Sequence, residues 1–314
     1  MRERTVSAAE PAPPAVDRAL RGLVTGLVQD IEVLAERSDS TVVRFGDTVF
    51  KAHAPGTDRE ALAQRVGVAA HPLLAGILLA PLPLSLNAVA DGRPVTAWPY
   101  GEPVARHTDP DAAPWEEAAV LLARLHAIPP AGPAGGRALP PMRGPAKAAA
   151  ALARMRAAGR PDPAVLRVWA ALPAWARDEA PPPDTPRTRT LCHGDLHLGQ
   201  LVRHPAPYGP WRLIDVDDLG VGEPAWDLAR PAMWFAAGVL EPEVWARFLG
   251  AYRAAGGAAV PADGDPWPYL DVPARALAAQ TAAIAVAKCA EEGRVLDETE
   301  QAVLDTCRRI AEVS

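Results

Sequence analysis

The sequence predicts an α+β protein of two unequal lobes: a small antiparallel-sheet lobe with one helix, then a larger, mostly helical lobe. Two observations predict it. Short β-rich runs joined by a hairpin signal are confined to residues 30–101. Helical periodicity dominates from 102 onward, interrupted once by an acidic hairpin near residues 190–218. The boundaries follow as a tail with a short helix at 1–29, a first lobe at 30–101 and a second at 102–314.

Residues 1–16 are polar and Pro-rich, and 17–29 have the pattern of a short helix. IEVLAERSDS reads as a strand running into a polar turn. TVVRF and TVFKAH are β-rich runs flanking Gly46-Asp47, a two-residue hairpin signal. TDREALAQRVGVAAH reads as a helix opened by a Thr57/Glu60 capping box. RPVTAWPYG is strand-like. Beyond it, DAAPWEEAAVLLARLHAI places Pro114 at a first turn and Val120, Leu122, Leu125 and Ile128 at helical spacing. AGPAGGRALPPMRGP is a loop. Residues 145–179 give one or two Ala-rich helices broken near Gly159–Pro163, and PPPDTPRTR is a connector. EPAWDLARPAMWFAAGVL, EPEVWARFLGAYRAAG, DVPARALAAQTAAIAVAKCAEEG and about 297–312 supply the remaining helices.

Composition narrows the function classes. A chain of 314 residues can bury a large core, and a net charge of −6 argues against sequence-blind nucleic-acid binding. The run 66–90 is the most lipid-like, but His71, Pro72, Pro81 and Pro83 interrupt it, so no membrane span is expected. Three cysteines without CxxC spacing point to a reducing compartment, and a cytoplasmic location is expected. Only Lys51, Lys147 and Lys288 occur, because Arg is the default cation here.

The chemistry concentrates in TLCHGDLHLGQLV (190–202) and LIDVDDLG (213–220). The two flank a hairpin through Tyr208-Gly209-Pro210, which brings Asp195 and Asp215 together. Two close carboxylates repel unless a cation or proton lies between them. Mg²⁺ suits such a pair, since it takes carboxylate and amide oxygens and shares itself with phosphates, and Gln200 supplies an amide oxygen. The alternative is a set of ordinary Asp turn caps. Lys51 falls on the inner face of its strand with Val49, a position that asks for an anion; a snorkelling edge Lys is the other reading. No Walker A motif is present.

HGDLHLGQ, IDVDD and GEPAWDLA together resemble the aminoglycoside phosphotransferase and choline-kinase-like family, relatives of protein kinases. The resemblance runs over about residues 30–260 and is strongest at 190–230. It implies a bilobal protein-kinase-like fold, with ATP and Mg²⁺ bound where the first lobe meets the second. Asp195 matches the family's catalytic base, and His193 and His197 organise the catalytic segment around it. Asp215 matches the metal-binding aspartate, with Gln200 as the second metal ligand. Asp227 matches an acid that braces the catalytic loop. Gln200 stands where the family usually has Asn, as in some sugar-phosphorylating relatives, and Glu223 stands for the usual Asp. Lys51 is implied to hold the nucleotide phosphates and to pair with Glu60, against which stands the capping box. The Gly-free turn AERSDS would cover phosphate through Ser38 and Ser40. The backbone from Ala97 to Tyr100, including Trp98, would read adenine. Lys147 and Lys288, in Ala-rich helices, are expected to be solvated.

The acceptor pocket is expected from the insert at 131–189 and the helices after 228. The last fifty or so residues carry roughly twice as many acids as bases, which suits a cationic acceptor as well as it suits a solvated helix face. An aminoglycoside-like antibiotic, a sugar, an amino alcohol or Ser/Thr of a biosynthetic peptide all remain open, as does a nucleotide-binding pseudokinase scaffold. Neither a nucleic-acid nor a membrane partner is expected, and oligomeric state has no sequence signal.

Overall fold

The computed structural model describes residues 32–36, 40–83, 89–90, 92–105, 108–109 and 112–313. The expected helix at 17–29 and Ser38 lie outside these residues.

The first lobe is a five-stranded antiparallel sheet. β1 (Glu32–Glu36), β2 (Thr41–Phe45), β3 (Thr48–Ala52), β4 (Val89–Ala90) and β5 (Arg93–Pro99) stand in the order β1-β2-β3-β5-β4. The Gly46-Asp47 turn joins β2 to β3, with Gly46 at φ 56° as such a turn requires. β3 pairs with β5 so that Lys51 faces Thr96 across the ladder.

α1 (Arg59–Ala70) follows β3. Its N-cap is Asp58, whose carboxylate accepts from the Glu60 and Ala61 amides, so the expected Thr57/Glu60 capping box does not form. Thr57 instead donates to the Ala54 carbonyl. A carboxylate caps as well as a hydroxyl, and Asp58 sits one residue closer to the helix. The inward face then carries Leu62, Arg65, Val68 and Ala69. Glu60 precedes Leu62 by two positions, about 200° around the helix, and faces solvent.

The helical lobe is built from α2 (Trp115–His126), α3 (Gly144–Ala157), α4 (Pro163–Ala171), α5 (Ala225–Ala236), α6 (Pro242–Ala254), α7 (Trp267–Glu292) and α8 (Glu298–Val313). α7 begins four residues before the expected start and continues through Pro273; Gly293 ends it at φ 65°. α3 packs on α7, α2 on α6 and α5 on α7. Their apolar faces join in one core that includes Leu122, Leu125, Leu152, Met155, Phe248 and Tyr252, each essentially inaccessible.

Short strands carry the loops that matter. β6 (Glu102–Pro103), β8 (Leu201–Arg203) and β9 (Trp211–Leu213) form one sheet, and β7 (Thr190–Cys192) pairs with β10 (Gly220–Gly222). β8 and β9 are the expected hairpin, with Leu201 opposite Leu213. The lobes are stitched at β9: Leu213 donates to Ile77 and accepts from Leu79, both at 2.9 Å. No described helix is long and apolar enough to cross a membrane.

Candidate active site

β7 ends at Cys192, and the next residues turn sharply into the cleft. Gly194 makes the turn at φ 86°, and a Cβ there would meet the Asp218 carbonyl oxygen at 2.3 Å. Only glycine fits so close an approach. From the first turn of α5, the buried carboxylate of Asp227 accepts the backbone N–H groups of His193 (2.6 Å) and Gly194 (2.7 Å). His126 of α2 reaches the same carboxylate through Nε2 at 3.0 Å. The chain of protons is complete: the Ala259 amide donates to Tyr252 Oη, and Tyr252 Oη donates to His126 Nδ1, leaving Nε2–H for Asp227. Burial opposes the Asp227 charge, yet its partners hold its carboxyl below the usual range. His126, Cys192 and Asp227 have the spacing of a metal triplet, but the His and Asp atoms are committed to this network.

The hairpin delivers Asp215 next to the same loop. Its φ of 64° places a non-glycine residue in the left-handed region, at a cost of about 1 kcal/mol or more that the surroundings must offset. Lys51 does so: its Nζ lies 2.7 Å from Asp215 Oδ1 and 2.9 Å from Asp217 Oδ2. Burial works to lower the Lys51 pKa, but the two carboxylates outweigh it and raise it, so the amine is charged. Asp217 also takes His53 at 3.2 Å, and Lys51 and His53 more than offset burial to hold its carboxyl well down. Glu60 is therefore not the partner of Lys51. It forms an exposed pair with Arg137, and Asp217 fills the place the sequence reading gave it.

Asp195 meets two cations. Lys147 Nζ is 2.7 Å from Oδ2, and an Arg230 terminal nitrogen is 2.7 Å from Oδ1. Burial alone would raise the Asp195 carboxyl; Lys147, then Arg230, drive it far below the usual carboxylate range. Lys147 also reaches Asp218 at 2.8 Å. The expectation of a solvated Lys147 is thus corrected, while Lys288 is half-exposed near Glu292 as expected. α3 carries Lys147 inward because its first residue, Gly144, lies flat on Trp226, where a Cβ would stand 2.1 Å from the indole nitrogen. The preceding strand-like segment is fixed by Met142 N–H to Val221 O and Arg143 N–H to Asp218 O.

His193 is fully buried, with Nε2 2.8 Å from the Ile214 carbonyl, and so ties the Asp195 loop to the Asp215 strand. His197 accepts from the Gly199 amide; burial holds its imidazole down to about 4 despite Asp195. Gln200 is buried with its amide nitrogen 3.4 Å from Asp215 Oδ2. Glu223 reaches Arg187, just ahead of β7.

Lys51, Lys147, Asp195, Asp215, Asp217 and Asp218 all line one cavity of about 780 Å³, as does Ser40. Ala97, Trp98 and Tyr100 do not line it. Ala97 O accepts from Leu82, Tyr100 N–H donates to Asp47, and Tyr100 O faces His204 Nδ1 at 3.0 Å. Trp98 donates its indole N–H to Thr96.

Lys147, Arg230, Asp217, Asp218, Arg65 and His53 escaped the sequence reading. Arg230 had a signal, since it follows Asp227 by three positions on one helix face. Lys147 had a fainter one, as one of only three lysines.

The model of the phosphotransferase enzyme family matches residues 30–307, nearly the whole described chain. The chain belongs to that family. Membership places it among phosphotransferase enzymes. No curated protein matches its sequence. Three solved structures illustrate the fold. Macrolide 2'-phosphotransferase MphH from Brachybacterium faecium is 20% identical with a TM-score of 0.50, over 93% of this chain and 97% of that one. A choline/ethanolamine kinase family protein from Mesorhizobium loti is 16% identical with a TM-score of 0.57, over 95% and 93%. Aminoglycoside phosphotransferase APH(4)-Ia, in a ternary complex with AMP-PNP and hygromycin B, is 17% identical with a TM-score of 0.58, over 93% and 97%. The bilobal kinase-like fold expected from the sequence is therefore the fold of this family member.

Proposed function

We propose that this phosphotransferase moves the γ-phosphoryl group of ATP, with Mg²⁺, to a hydroxyl of a small molecule. The observation that carries the reading is the pairing of Lys51 with Asp215 and of Lys147 with Asp195 in one cavity. Residues 30–101 act as the nucleotide lobe and 102–314 as the lobe of catalysis and acceptor binding.

The donor chemistry suits Mg²⁺. Asp215 offers a carboxylate, and Gln200, whose amide nitrogen faces Asp215 in this structure, would offer its oxygen once the amide is turned over; both are the hard oxygen donors this ion prefers. When bound, the ion neutralises phosphate charge in the transition state. Lys51 holds the phosphates from the sheet side, and Ser40 covers them. Asp195 accepts a hydrogen bond from the attacking hydroxyl and fixes it in line with the γ-phosphorus. As the acceptor O–P bond forms and the bond to the ADP oxygen breaks, the hydroxyl proton leaves through Asp195. A carboxyl so acidic takes the proton only late, so its main work is orientation. Lys147 and Arg230 hold that orientation, and His193 and Asp227 hold the loop.

AMP-PNP in the APH(4)-Ia complex and GDP in the aminoglycoside 2'-phosphotransferase-IIIa structure support a nucleoside triphosphate donor. The hydroxylated antibiotics in such complexes support a small-molecule acceptor. The test is slow ATP hydrolysis without acceptor. Asp215→Ala should lower it by at least about 100-fold; an equal rate in both proteins would refute the proposal.

A further inference from the structure

The cavity has a second half, away from Lys51, walled by α3 and α7. α3 turns one stripe toward it, with Lys147 and Arg154 on the lining together with Arg143, the residue just ahead of the helix. The helix contains no acidic residue, and α7 contributes only Gln280 and Ile284. From above, α1 brings in Arg65, whose guanidinium bonds the carbonyls of Leu219 and Pro141. Burial, then the charge of Arg143, weaken the proton affinity of Arg65: two like charges face each other here.

The carboxylates on this side are already engaged. Asp195 is held by Lys147 and Arg230; Asp218 is held by Lys147 and lies 3.7 Å from Arg143. Asp58 caps α1. At the outer rim Glu291 holds Arg154, with both side chains about half exposed, so an incoming anion can exchange for it at little cost. Four other acids of the last fifty residues pair away from the cavity: Asp271 with Arg275, Glu292 and Glu300 with Arg294, Asp305 with Arg308. None of them lines it.

Resting on the phosphotransfer reading, we propose that the acceptor is an acidic hydroxy compound, whose carboxylate or phosphate group binds at Arg143, Arg65 and Arg154 while its hydroxyl meets Asp195. A polycationic acceptor finds no unclaimed carboxylate among the described residues of this wall.

The test uses the full chain with ATP and Mg²⁺ and four acceptors that share one ring: D-glucose, D-glucosamine, D-glucuronate and D-glucose 6-phosphate. For each, the reading is the concentration that half-saturates ADP release, or half-suppresses acceptor-free ATP hydrolysis. At least one acid should act at about tenfold lower concentration than glucose, as one charge-assisted contact provides, with glucosamine weakest. The Arg143→Gln/Arg154→Gln double variant should bring the acid-to-glucose ratio to within about threefold of unity. Because the ratio is taken within each protein, a general loss of activity cancels. Glucosamine matching the acids, four equal or absent responses, or a ratio that survives in the double variant would overturn the proposal. Those results leave the phosphotransfer reading intact if wild type hydrolyses ATP in an Asp215-dependent way. A wild type that neither hydrolyses ATP nor binds AMP-PNP removes both.

Discussion

Replacing Lys147 with alanine tests the catalytic geometry most directly. The side chain makes two charge-assisted hydrogen bonds, 2.7 Å to Asp195 and 2.8 Å to Asp218, in a setting where all three groups are at least two-thirds buried. Each such bond contributes about 1.5–3 kcal/mol. Arg230 stays on the other oxygen of Asp195, so the carboxylate keeps its charge and loses half its restraint. A transition-state loss of about 2–3 kcal/mol follows, or roughly 30- to 150-fold in kcat. KM for ATP should move little, because in the proposed mechanism the phosphates are held by Lys51, which pairs with Asp215 and not with Lys147 or Asp195. The assay is ADP release at saturating ATP, with Tm measured on the same samples. Added ethylammonium should restore part of the rate, and Lys147→Arg should restore less than a full recovery, since a planar fork does not replace a point charge. A folded Lys147→Ala protein with kcat within about threefold of wild type, or one unresponsive to ethylammonium, would refute the assignment.

Further outcomes follow from named contacts. Glu60→Gln should leave ATP turnover within about twofold of wild type, as an exposed pair contributes little. Asp217→Asn should raise KM for ATP by about tenfold through Lys51; steady-state kinetics on the pair checks both. Asp227→Ala strands two buried N–H groups and His126 and should cost about 3–5 kcal/mol in urea unfolding. Gly194→Ala should abolish activity, whereas Gly159→Ala, equally left-handed but in open space, should cost only about 1 kcal/mol and leave kcat unchanged. Asp195 and Asp217 have depressed folded-state values, so their stabilisation is present above the ordinary carboxylate range and is lost as pH falls through and below it. Urea stability should therefore drop below about pH 4, and less steeply in Asp217→Asn.

The lobes, the hairpin and most helix bounds were legible because they follow from local pattern: Gly46-Asp47 between β-rich runs, Pro114 ahead of α2, the break at Gly159. So was the convergence of Asp195, Asp215, Gln200 and Asp227, because all four fall on a short stretch of chain folded back by one hairpin. What escaped was set by distance along the chain. Lys147 is 48 positions from Asp195, and no period in an Ala-rich helix says which face meets a loop from elsewhere. Glu60 misled for the opposite reason. A carboxylate near a helix start looks ready for Lys51, but Asp58 fixed the helix phase and turned it outward. Asp217 took its place from within the acidic knot, where three carboxylates in four residues left the division of labour undetermined until the Asp215 backbone twisted to φ 64°.

On the proposed mechanism Lys147 reaches the reaction centre from α3, a helix that precedes the Asp195 loop in the chain, and that placement ties two properties which loops usually keep apart. A drift in α3 that retunes acceptor choice also shifts a charge touching Asp195. Transplanting this helix into a relative should therefore carry a piece of the catalytic apparatus with it, and deleting it should silence the enzyme rather than broaden its taste.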